Sequence, residues 1–200
     1  MTPPQVILAS ASAARAALLR AAGLAVDVVP ARVDETAVTE ALQAEGAPPR
    51  DIADALAQMK ALRVSARHQQ ALVIGADQVL VCDGRLFDKP ADRAQARTQL
   101  QALRGRPHQL ISAAVIALGS EPLWRHVGIA RLTMRPFSDA FLDAYLDKAG
   151  DALLTCVGAY QLEALGAQLF ARVDGDHFVI QGLPLLEVLG FLRARGVLIE

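Results

Sequence analysis

Short apolar runs and longer stretches of helical spacing follow one another along the chain. Gln5 to Ala9, with the compact apolar run Val6-Ile7-Leu8-Ala9, reads as a short buried strand. The small polar turn Ser10-Ala11-Ser12 follows, and Ala13 to Ala22 reads as a helix ended by Gly23. Val26 to Val29 reads as a second strand stopped by Pro30, and Val33-Asp34-Glu35-Thr36 as an acidic loop. After a break at Pro48-Pro49, the spacing predicts a helix from about Asp51 to Ala66, with Ile52, Leu56, Met59 and Leu62 near one face.

Ala71 to Val81 is a strand run with an odd polar interruption, Gly75-Ala76-Asp77-Gln78. Asp83-Gly84 is a two-residue hairpin signal, and the returning segment ends in Asp88-Lys89-Pro90 before a helix to Leu103, closed near Gly105. His108 to Leu118 and Trp124 to Met134 read as strands joined by a turn at Gly119–Pro122. Ser138 caps a helix from Asp139 to Ala149, stopped by Gly150. Gly158-Ala159-Tyr160 opens a loop, Ala167 to Val173 is a strand, Asp174-Gly175-Asp176 a turn, and Leu185 to Arg195 the last helix. Helices interleave with strands, and hairpins occur among them. The expectation is an α/β fold with a mixed twisted sheet and helices on its faces, one domain over residues 1–200 folded as two lobes.

Composition narrows the function. At 200 residues and 53% hydrophobic content the chain can bury a proper core, which excludes disorder. A net charge of −1 argues against nucleic acid as a partner, since such proteins need a basic face. Cys82 and Cys156 lie far apart, which fits a reducing compartment and gives no metal-ligand spacing. No targeting segment or bilayer-spanning run is visible, so a cytoplasmic protein with no membrane partner is expected. Only three lysines, Lys60, Lys89 and Lys148, stand against 17 arginines, which makes each lysine a position to question.

Candidate chemistry gathers at few places. A strand feeding a helix through Ser10 and Ser12 offers backbone N–H groups and a positive helix end to a phosphate, with Arg15 one turn on; Ser12 as a plain N-cap is the simpler reading of that segment alone. Asp77 is a carboxylate inside a Val/Leu/Ile run, costly to bury unless paired, metal-bound or facing a cleft. Gly75 beside it signals a bulge or a close approach by another element. Asp34-Glu35 supplies carboxylates that together with Asp77 suit Mg²⁺. The four histidines have no ligand spacing, and P-loop, dinucleotide and GxSxG signatures are absent.

In order along the chain, the segments Leu8–Ser12, Val33–Thr36, Lys60-Ala61, Gly75–Gln78, Lys89-Pro90, Gly105–His108, Arg135–Asp139, Gly158–Tyr160 and Gly182–Leu185 resemble the Maf family of nucleotide pyrophosphatases. The resemblance implies a nucleotide cleft between two lobes, a homodimer, and dependence on a divalent cation, Mg²⁺ or Mn²⁺. It implies hydrolysis of a nucleoside triphosphate to the monophosphate and pyrophosphate, clearing non-standard nucleotides, with a role in arrest of cell division. By the same resemblance Asp77 is the general base, Glu35 and Asp77 hold the metal, and Ser10, Ser12, Arg15, Lys60 and Lys89 bind substrate. Positions that differ between Maf subgroups fall on Ala14, Gln78 and Glu163. Gln78 and Glu163 are as in the 7-methyl-GTP type, and an ionised Glu163 accepts hydrogen bonds from a guanine edge. Ala14 matches neither that type nor the dTTP/UTP type. The alternative is a non-catalytic nucleotide-binding regulator of division.

Overall fold

The computed structural model describes residues 4–199. In chain order the elements are β1 (Val6–Leu8), α1 (Ala13–Ala21), β2 (Asp27–Val28), α2 (Glu35–Ala44), α3 (Pro49–Ser65), β3 (Leu72–Cys82), β4 (Arg85–Phe87) and α4 (Arg93–Leu103). They continue with β5 (Pro107–Leu118), β6 (Glu121–Met134), α5 (Asp139–Ala149), three short 3₁₀ turns between Gly150 and Leu169, β7 (Phe170–Asp174), α6 (His177–Ile180) and α7 (Leu185–Ala194). The strand order is β2-β1-β3-β5-β6-β7, with β4 paired to β3. β1 runs parallel to β2 and β3, whereas β3–β4 and β6–β7 are antiparallel, so the sheet is mixed as expected.

The chain forms two compact units. One comprises residues up to Gln78, Ser112–Gly128 and the residues from His177 on; the other comprises Val79–Ile111 and Ile129–Asp176. Three of the four crossings fall inside β3, β5 and β6, and the fourth lies between β7 and α6.

In the first unit, β1 shows why a four-residue apolar run becomes a buried strand. Its side chains alternate between two cores. Val6 and Leu8 meet Ile74 of β3, Ala16 and Leu19 of α1, and Val188 and Leu192 of α7. Ile7 and Ala9 meet Val73 of β3 and Val64 of α3 on the opposite face. Each fully buried Leu or Ile contributes about 1.5–3 kcal/mol. Ser12 caps α1, accepting from the backbone N–H of Arg15. In the second unit, Asp83 and Gly84 both take positive φ, 49° and 76°, the geometry a two-residue hairpin needs. Asp92 and Ser138 cap α4 and α5 through their side-chain oxygens. Buried His108 places Nε2 2.8 Å from the Tyr160 hydroxyl.

Three expectations change. The acidic segment Val33–Thr36 is a helix start: Asp34 accepts from the N–H of Ala37 and α2 begins at Glu35. The buried face of α3 keeps Ile52 and Leu56 but is completed by Ala53, Ala57, Lys60 and Ala61, with Met59 and Leu62 only half-buried. β7 begins at Phe170, because 165–169 turn as a 3₁₀ helix.

Candidate active site

Asp77 lies on β3 and is 5% exposed, so it is not an edge-strand carboxylate facing water. Side chains at i and i+2 of a strand share a face, and Gly75 shows what that face meets. A Cβ at Gly75 would stand 2.1 Å from Ala57 O and 2.5 Å from Ala61 N, so the glycine lets α3 lie directly on β3. Close approach, and not a bulge, is therefore the reason for Gly75. The contact brings Lys60, on the same helix, within 2.6 Å of Asp77 Oδ1. Lys60 Nζ is also 2.8 Å from Glu35 Oε2. Lys60 is as buried as Asp77, whereas the Glu35 side chain is half open to solvent.

Electrostatics follow from this geometry. Burial pushes the Asp77 carboxyl above its usual range, and the charge of Lys60, then that of Arg15, pulls it back down. Burial likewise lowers Arg15, against the pull of Asp77 and Glu35. The Arg15 guanidinium is a staple: Nε donates to Gly182 O at 2.7 Å, and Nη1 donates to Ala76 O at 2.9 Å and to Ser10 Oγ at 3.2 Å. Ser10 Oγ also accepts from the N–H of Ser12 at 3.2 Å. One arginine thus ties the serine turn, the residue before Asp77 and the turn ahead of α7 into one piece.

The first unit brings Ser10, Ser12, Arg15, Glu35, Lys60, Asp77 and Gln78 into one connected region, and Ala14 lies exposed on the first turn of α1. Lys89 and Glu163 belong to the second unit. Exposed Lys89 sits in a segment laced to α4, since Gln99 Nε2 donates to Asp88 O and the N–H of Ala91 donates to Gln95 Oε1. Glu163 is an exposed carboxylate between two 3₁₀ turns. Ser112 was not picked out from the sequence. Its signal was a hydroxyl inside the apolar run Leu110–Ile116, and it is fully buried, donating to Val179 O at 2.7 Å.

Glu35 and Asp77 present the hard oxygen donors that Mg²⁺ or Mn²⁺ takes. No group of three or more His, Cys, Asp or Glu able to hold a metal occurs among the described residues. The pair fits a cation of the kind held by one or two carboxylates and completed by substrate phosphates and water. No helix among the described residues is long and apolar enough to cross a membrane.

Comparison with known proteins agrees with the pattern of motifs. The chain is 56% identical over 193 residues to a nucleoside triphosphate pyrophosphatase of Paramagnetospirillum magneticum, covering 96% of this chain and 100% of that one. It is 52% identical over 198 residues to the protein of the same name in Caulobacter vibrioides, covering 99% and 98%. A crystal structure of a nucleoside-triphosphatase (dITP/XTP pyrophosphatase) from Mycobacterium abscessus matches at 17% identity and a TM-score of 0.42, covering 96% of this chain and 95% of that one. The description Maf-like protein fits residues 5–195, and with so much of the length matched, the chain belongs to the Maf-like protein family.

Proposed function

We infer that this protein hydrolyses a nucleoside triphosphate to the monophosphate and pyrophosphate, with Asp77 as the proton acceptor. The observation that supports this reading is the buried Asp77–Lys60–Glu35 cluster at hydrogen-bonding distances. A carboxylate raised above its usual range by burial, with an ammonium 2.6 Å away that favours its ionised form, suits a proton acceptor. Water attacks the α-phosphorus as its proton passes to Asp77. The bond from that phosphorus to the α-β bridging oxygen breaks, and pyrophosphate leaves. Lys60 is a point cation for the phosphate charge. The serine turn, ahead of the positive end of α1, holds phosphate oxygens. Arg15 keeps that turn in register with Asp77. Glu35 and Asp77 would hold a divalent cation, which would supply charge neutralisation for the phosphates and polarise the phosphorus. For Lys89 as a phosphate contact, and for Glu163 with Gln78 as selectors of a guanine-type base such as 7-methylguanine, the support is the family pattern.

The test is a panel of the common triphosphates, dTTP and 7-methyl-GTP with Mg²⁺ or Mn²⁺, with pyrophosphate and orthophosphate measured separately. Pyrophosphate release is expected. Orthophosphate alone, or nucleotide binding without turnover, would overturn the assignment.

A further inference from the structure

Gln78 follows Asp77 on β3 and is half-buried. Its amide nitrogen has three acceptors around it: Ser112 Oγ at 3.0 Å, Val179 O at 3.1 Å and Ile180 O at 3.0 Å. The two carbonyls have no proton to give. Ser112 has one, and it goes to Val179 O at 2.7 Å, so towards Gln78 the hydroxyl only accepts. Turned over, the amide would set its oxygen against three lone-pair donors with no hydrogen between them. Which end of a glutamine points where is decided by its surroundings, and here they admit one orientation. Both amide protons are spent on the protein. What Gln78 has left is Oε1, to which no described residue donates.

A glutamine ordinarily reads a base in both senses, donating and accepting. We propose that the Ser112, Val179 and Ile180 cradle makes Gln78 an acceptor only, so that it selects triphosphates whose base turns a ring N–H towards it. Uracil, thymine, guanine and hypoxanthine carry that N–H. Cytosine and adenine place a bare lone pair at the corresponding ring nitrogen, which meets Oε1 as acceptor against acceptor. Ser112 is then a positioning residue acting through Gln78. A site that leaves a polar group unpaired against the wrong substrate discriminates strongly. The inference rests on the pyrophosphatase reading and adds the sense in which the base is read.

The experiment compares kcat/KM for pyrophosphate release in matched pairs, UTP against CTP and ITP against ATP, for the native chain and for Gln78→Met. The native chain is expected to favour UTP and ITP by about tenfold or more, and Gln78→Met to bring both ratios within about threefold of unity. Equal or reversed ratios in the native chain, or ratios that survive in Gln78→Met, would overturn the proposal. Should Gln78→Met fail to fold, N3-methyl-UTP replaces the variant: the native chain is expected to lose about tenfold or more against UTP, and equal turnover overturns the proposal. Failure to release pyrophosphate from any triphosphate would instead remove the reading on which it rests.

Discussion

Replacing Gly75 by alanine adds one methyl group, and the structure says where it goes. It meets Ala57 O at 2.1 Å, Ala61 N at 2.5 Å and Ala61 Cβ at 2.8 Å. All three atoms belong to the backbone of α3 or are fixed directly to it, so no flexible side chain can yield. Restoring contact distances requires α3 to withdraw from β3 by about 1 Å. Overpacking of this kind costs about 1–3 kcal/mol, and a collision with backbone belongs at the upper end. For a chain of this length that is a fall of roughly 6–12 °C in unfolding midpoint. The same withdrawal lengthens the 2.6 Å contact between Lys60 and Asp77, and a 1 Å misplacement of catalytic groups can cost ~10²-fold in rate. Gly190 is the control: it lies on α7, and a Cβ there would meet nothing within 4 Å beyond its chain neighbours and the adjacent turns of its own helix, so Gly190→Ala is expected to be neutral or stabilising by up to about 1 kcal/mol. Thermal unfolding by circular dichroism and pyrophosphate release would be measured on both variants. A Gly75→Ala protein matching the native chain in midpoint and turnover would refute the close-packing argument and the placement of Lys60 derived from it.

Other consequences are as direct. Asp77→Asn is expected to lower turnover by about 10²–10⁴ with nucleotide affinity changed only a few-fold; calorimetric binding beside a pyrophosphate assay checks it, and near-native turnover would remove Asp77 as the base. Because burial raises the Asp77 pKa, and the ionised form is the active one, activity falls as pH drops through that raised value; an acid limb of kcat/KM at or below 3.8 contradicts this. Lys60→Met leaves Asp77 buried without its nearest cation and is expected to cost about 3–5 kcal/mol of stability, read by urea unfolding. Burial holds His108 down to about 4 from 6.5. The unfolded chain therefore takes up the proton first, and stability is complete above about pH 6.5 and lost as pH falls towards 4, by about 3 kcal/mol in all. Denaturation at pH 7 and pH 4.5 tests this, and a His108→Gln variant with an undiminished loss would refute it.

Much of the first unit was legible because its signals are local. A run of four apolar residues, a serine cap and a closing glycine are enough to specify β1 and α1, and in the second unit Asp83-Gly84 is enough to specify the β3–β4 hairpin. Asp77 stood out because a carboxylate in an apolar strand is expensive. What escaped was relational. The inner face of α3 is lined with Ala53, Ala57 and Ala61, which carry little hydrophobic contrast, so the larger Met59 and Leu62 drew attention while Gly75 on another element decided which face was close-packed. The segment at Asp34 looked like a loop because its acidic residues were weighed as metal ligands and not as a helix cap. The orientation of Gln78 depends on carbonyls a hundred residues away in sequence and on a serine hidden in β5, and no spacing along the chain encodes that.

The discontinuous build of the first unit bears on how the protein is made. Glu35, Lys60 and Asp77 leave the ribosome early, yet two supports of the framework that carries Asp77 are made more than a hundred residues later. Gly182 O accepts from Arg15, and Val188 and Leu192 of α7 complete the core over β1 and β3. A nascent chain stopped after Asp176 carries nearly every charged group of the site without the carbonyl partner of Arg15 and without the core on the other face of β1 and β3. Truncation before α7 should therefore yield a substrate for proteolysis and not a weakened enzyme, and the strand that carries Asp77 becomes native only once α7 has been made.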